Sequence, residues 1–217
     1  MPTKLNHYWR IRPYKFEEYC KFMLNSFIPG INKLDVHVVC GWSVLIGSYS
    51  DIILETVAND LELLEHSLLS KEFMKLKENL LNYVTDYNTK ILVLSGKRDS
   101  YTTTFQENSI KFNQTWNINS EKAAYNHYVE EKFYPCLEES GITVAAEWEV
   151  LIGDAPHIVC EGRANDVGAL IGNLQDKKFR ESIRGLKMLI SNYQSRILGL
   201  HIQKLQGCKS VNYDIIR

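Results

Sequence analysis

Two glutamates stand where β-strands seldom carry them. Glu55 follows Ile53-Leu54 and Glu161 follows Val159-Cys160, each within a segment that reads as a strand. A carboxylate in mid-strand is unusual. Facing an interior, it would lose solvation, its pKa would rise, and it could serve as a general acid–base. Facing a wet surface, it would pair with a cation instead, and Arg163 shares the strand face of Glu161. His201, beside Leu200 and Ile202 in the last expected strand, is the third candidate for a base or a pocket ligand.

Other chemistry is sparse. The six histidines are His7, His37, His66, His127, His157 and His201, and none falls in an HxH or HxxxH pattern. A metal site would need two or more converging ligands, so none is expected. Cys20, Cys40, Cys136, Cys160 and Cys208 make an odd count without a CxxC pair. That argues against a disulfide framework and for a reducing compartment, with the cytoplasm as the expected location. GxGxxG, GxxxxGK[ST] and GxSxG are absent. Asn59-Asp60 and Asn165-Asp166 end matching strands, where they could rim a pocket or cap helices. Trp42 and Trp148 are expected in the core. The twelve tyrosines could line an aromatic pocket or pack at helix–sheet edges.

Lys and Arg number 25 against 26 Asp and Glu, and they are dispersed. No basic footprint for nucleic acid is present. Apolar runs fall short of the roughly 18 residues of a membrane helix, so no membrane partner is expected. The N-terminus has no apolar signal core.

These candidates must be positioned by a duplicated element order. GWSVLIG recurs as EWEVLIG, and a slide of 106 positions, taken without a gap, aligns Glu55 with Glu161. Residues 42–94 then show 19 identities in 53 positions, too many for chance. Each copy reads as a strand (His7–Arg12; Phe112–Ile118), a helix (Tyr14–Pro29; from Asn119-Ser120, with Ser120 as N-cap, to Pro135), and a strand (Asp35–Ile46; Ile142–Ile152). A second strand (Ile52–Ala58; Ile158–Ala164), a helical stretch (Leu61–Asp86, broken near Ser70, and its counterpart) and a last strand (Lys90–Ser95; Arg196–Ile202) complete it. The order βαββαβ is the ferredoxin-like pattern, in repeats spanning 1–104 and 105–217 and joined by a polar linker, Gly96–Lys111. One parity of the Val36 strand is wholly apolar through Trp42 to Ile46, and the other is mixed. Both faces therefore call for cover, and the second copy can supply it. The expected class is α+β: two tandem ferredoxin-like repeats pairing antiparallel sheets into one dimeric-type α/β barrel.

That arrangement resembles the dimeric α/β-barrel superfamily, of the NIPSNAP-like or stress-responsive type, fused as a pseudo-dimer. The resemblance implies either a binding or structural module or a small-barrel enzyme. The module would hold a small apolar or aromatic ligand between sheet and helices. The enzyme would be a monooxygenase, with haem or without a cofactor, or an isomerase, using Glu161, Glu55 or His201 to move a proton. The module is the preferred reading, because no converging catalytic set can be assembled. No cofactor is expected; haem would need an axial histidine. A monomeric pseudo-dimer and a homodimer are both compatible with the sequence. Where the copies differ, Gly162-Arg163 replaces Thr56-Val57, and Glu147 and Glu149 replace Gly41 and Ser43. Any site is thus expected to be asymmetric and richer in polar groups in the second copy.

Overall fold

The computed structural model describes residues 3–48, 50–99, 109–154 and 156–201. Its strands are β1 (Thr3–Ile11), β2 (His37–Ile46), β3 (Ile52–Ala58), β4 (Val84–Asp99), β5 (Ile110–Ile118), β6 (Thr143–Ile152), β7 (Ile158–Ala164) and β8 (Ile190–Leu200). Helices α1 (Phe16–Phe22) and α2 (Ile28–Asn32) flank a π-turn at Met23–Phe27. Their counterparts α5 (Lys122–Tyr128) and α6 (Tyr134–Glu139) flank another at Val129–Phe133. The second helical stretches are α3 (Leu61–Leu69) with α4 (Lys71–Leu80), and α7 (Val167–Leu174) with α8 (Lys177–Lys187). The order is βαββαβ twice. Backbone hydrogen bonds join the strands as a closed barrel, β1-β3-β2-β8-β5-β7-β6-β4. This is the dimeric-type α/β barrel in a single chain.

By contacts the chain divides into two units, Met1–Val44 with Ser48–Val93 and Leu200–Arg217, and Leu45–Gly47 with Leu94–Gly199. The expected boundary at 104/105 lies outside the described residues. The linker is shorter than expected, since β4 continues to Asp99 and β5 begins at Ile110. The last strands also start earlier than expected, at Val84 and Ile190. Asp86 and Asn192 take the left-handed backbone (φ 54° for both), a local conformation that asparagine and aspartate tolerate and that strand periodicity does not reveal.

In the first unit, Leu5, Trp9, Val36, Val38, Ile52 and Leu54 join Tyr19, Phe27 and Leu64 in one core beneath the helices. The second unit repeats this with Phe112, Trp116, Ile142, Val144, Ile158, Tyr125 and Phe133. Asp60 and Asp166 cap α3 and α7, their Oδ1 atoms accepting from the amides of Leu63 at 2.8 Å and Ala169 at 2.5 Å. Ser120 caps nothing: α5 begins two residues later, after Glu121, with no side-chain cap.

Register corrects two readings. Val38 lies opposite Thr56, but Cys40 lies opposite Glu55, so Val39 is an extra residue. The same bulge falls between Val144 and Ala146. A bulge exchanges the faces of a strand. Val36 and Val38 therefore meet the helices, while Cys40 and Trp42 turn to the other face; the apolar parity is split between the two. Second, Lys4 lies opposite Val57 whereas Lys111 lies opposite Arg163. The first strands thus correspond at 107 residues, not 106, and one gap is needed. With it Lys4, Asn6, Trp9 and Ile11 fall on Lys111, Asn113, Trp116 and Ile118.

The face turned away from the helices is buried too. Lys4, Asn6 and Glu55 are 0% exposed, and Lys4 Nζ stands 3.0 Å from Glu55 Oε1. Lys111 Nζ stands 3.2 Å from Glu161 Oε1 in the second unit. Removing one partner of such a pair strands a buried charge, which costs about 3–5 kcal/mol, while replacing both by apolar groups costs far less. Urea denaturation should show Lys111→Met losing several kcal/mol and Lys111→Met with Glu161→Leu recovering most of it. Additive losses would refute the pairing.

Candidate functional site

Within the first unit, the two groups expected to do chemistry, Glu55 and His201, lie on opposite faces of the sheet. Glu55 lies on the face of its sheet away from the helices, bonded to Lys4 and accepting from Cys40 Sγ at 3.5 Å. His201 lies on the helix side of the same unit. Its Nδ1 is 2.8 Å from Ser43 Oγ, its amide donates to the Gly41 carbonyl at 2.7 Å, and its ring centroid is 6.1 Å from that of Tyr19. Glu161 sits on the away face of the second sheet, with Lys111 of β5 beside it. Trp42 and Trp148 are buried, at 1% and 3% exposure.

A further polar cluster lies beneath the helices of the second unit, and the bulge in β6 creates it. Past the bulge Glu147 lies opposite Cys160, and Cys160 opposite Gln114. This puts Gln114, Cys160 and Glu147 in one row across three strands on the helix face. Glu147 is 0% exposed. It accepts from Tyr125 Oη at 2.8 Å, from Tyr134 Oη, and from Lys97 Nζ at 2.5 Å. Tyr125 in turn accepts from Trp116 Nε1 at 3.0 Å. Lys97 also lies 5.3 Å from the Tyr125 ring centroid. Tyr193 Oη donates to Gln114 Oε1 at 2.8 Å, and its ring stacks on Trp116 with centroids 6.2 Å apart.

Burial, reinforced by the Glu147 charge, pushes the Tyr125 phenol up; burial and the neighbouring Cys160 and Glu147 raise Tyr134. Cys160 is likewise raised by burial, then by Glu147 and Glu161. All three stay protonated, so the phenols donate and the thiol is no nucleophile. One group is left over. Gln114 is 0% exposed, and its Nε2 finds no acceptor among the described residues. A buried donor without an acceptor costs about 1–3 kcal/mol. A water or a ligand atom there would relieve that cost.

The first unit has the same frame with other contents. Trp9 Nε1 donates to Tyr19 Oη at 3.2 Å, but Gly41, Leu54 and Ile28 stand where the second copy has Glu147, Cys160 and Tyr134. His7 replaces Gln114, and its Nδ1 is 2.9 Å from Tyr87 Oη. Sequence comparison of the two copies singles out Glu147 as a divergence. It misses Gln114 because the gapless slide sets it against Tyr8; a one-residue gap before the first helix finds it.

His7 has its ring nitrogens at Tyr87 and, 3.5 Å away, at Thr56; His201 has Nδ1 at Ser43. His66, His127 and His157 are exposed. Among the described residues no three metal-ligating side chains gather.

No family model matches this chain, and no curated protein does. Solved structures do. A monooxygenase candidate from Fusobacterium nucleatum is 10% identical, with 92% of each chain covered and a TM-score of 0.64. One from Lactobacillus acidophilus is 10% identical, covering 92% of this chain and 93% of that one, at 0.58. A mutant chlorite dismutase from Candidatus Nitrospira defluvii is 8% identical, covering 94% and 93%, at 0.57. At these identities the likeness defines the fold class, the dimeric α/β barrel.

Burial lowers the His7 pKa to about 3, against about 6.5 in an unfolded chain. The unfolded state therefore takes a proton below pH 6.5 that the folded state refuses. Stability is full above that pH and falls as pH drops toward 3, by up to about 1.4 kcal/mol per pH unit from this residue. His7→Gln, which copies Gln114, should flatten the stability–pH slope between pH 6.5 and 4 in urea denaturation. An unchanged slope would refute a neutral His7.

Proposed function

We propose that this chain is a cytoplasmic small-molecule-binding barrel, and that it holds a compact aromatic molecule bearing a hydrogen-bond acceptor beneath the helices of its second unit. The observation that carries this reading is the buried Gln114 Nε2, which has no acceptor among the described residues. Trp116, Tyr193 and Phe133 pack against one another beside the same row, and an aromatic cluster of this kind can take a flat ligand by stacking while polar groups fix its orientation. Glu147 is already filled by three donors, which suits orienting a ligand better than turning it over.

Turnover is the second reading. It is favoured by the contact between Tyr134 and Glu147, a phenol and a carboxylate between which a proton could pass, and by the names of the neighbouring monooxygenase candidates.

Titration with 1-naphthol and 4-hydroxybenzaldehyde, followed by tryptophan fluorescence, tests both. Saturable quenching is expected, abolished in Trp116→Phe and weakened about tenfold in Gln114→Leu, the worth of one buried hydrogen bond. No saturation up to millimolar probe would overturn the binding reading. Consumption of probe under air, lost in Glu147→Gln with binding retained, would replace it by the second.

A further inference from the structure

The repeats share their cores but have opposite charge on their outer helices. Along α3 an open groove of about 530 Å³ is lined by Asp60, Glu62, Leu63, Glu65, His66 and Leu69. Leu69 is 75% exposed, so the groove is apolar as well as acidic. The matching positions of Glu62, Glu65 and Leu69 in the second copy are Gly168, Ile171 and Gln175. The second copy carries instead a basic stripe on α8: Lys177, Arg180, Arg184 and Lys187, at the three- and four-residue spacing that keeps side chains on one helix face. All four are exposed. Met188, 81% exposed, follows the stripe. Of the four, only Lys177 has a match in the first copy, Lys71; Met74, Glu78 and Leu81 replace the rest. One copy thus lacks acidity where the other has it, and carries three basic residues where the other has Met74, Glu78 and Leu81.

We propose that α8 of one copy of this chain seats along the α3 groove of a second copy. The lengths agree: the stripe runs about 15 Å and α3 about 14 Å at 1.5 Å per residue. The charges agree, with Arg180 and Arg184 against Glu62 and Glu65. The apolar ends agree, since Met188 and Leu69 each leave an uncovered side chain at the end of the contact. The contact joins two different surfaces, so it either occurs twice across a two-fold axis or runs head-to-tail into a ring or filament.

Sedimentation velocity of the full chain at low and high salt tests this directly. Self-association that grows with concentration is expected at low salt and should weaken at high salt. Glu62→Lys with Glu65→Lys, and separately Arg180→Glu with Arg184→Glu, should each raise the dissociation constant at least about tenfold. All four residues are exposed, so thermal melting should not change. Mixing the two double variants restores opposite charges in both directions and should restore association. Wild-type protein that stays monomeric at low salt would overturn the proposal. So would association that ignores salt, or a mixture no stronger than either variant alone. RNA binding by α8 with no self-association would also overturn it, and would reassign the stripe.

Discussion

A charge removed from water must find its counter-charge inside, and that requirement organises both sheets. The strands are covered on both faces, so Glu55 and Glu161 cannot reach solvent. Each is held against a lysine one strand away. Such pairs contribute little net stability, because desolvation offsets most of the Coulombic gain. They do penalise misalignment. A one-residue slip of β1 against β3 would turn Lys4 to the helix face and leave Glu55 without that partner. The pair therefore fixes register, and register decides which side chains meet the helices.

In the second unit the bulge in β6 sends Glu147 under α5 and α6, where two tyrosines and Lys97 absorb its charge. The first unit has the same bulge but a glycine at that point, so its helix face needs no counter-charge there, and the space beside Tyr19 receives His201. Duplication has kept the frame, the tryptophan–tyrosine bond and the π-turn in both copies. It has changed the polar contents in one.

Element order was legible in the sequence because hydrophobic periodicity and the repeat reinforced each other. Ile52–Ala58 and Ile158–Ala164 are the strands the residues suggested, and Asp60 and Asp166 cap as their type favours. The site was legible only in part. Glu55 and Glu161 were visible as misfits, but Lys4 and Lys111, on a different strand, supply the charges beside them, and that adjacency is a matter of register. Glu147 stood out as a divergence between the copies but not as a group beneath the helices, because a bulge leaves no mark in alternation; only the fold reveals which parity turns inward beyond it. Gln114 was hidden by a single missing residue between strand and helix, which set it against Tyr8 instead of His7.

The unit that begins the chain also contains Leu200 and His201, whose amide reaches back to the Gly41 carbonyl. During synthesis, then, Gly41 waits for His201. Until residue 201 leaves the ribosome, the edge of β2 near Gly41 lacks that bond and is open to chance partners. Chain closure over so long a loop slows folding more than it weakens the finished molecule. Nascent copies therefore leave this strand edge unpaired longer than a fold whose neighbouring strands follow one another in sequence.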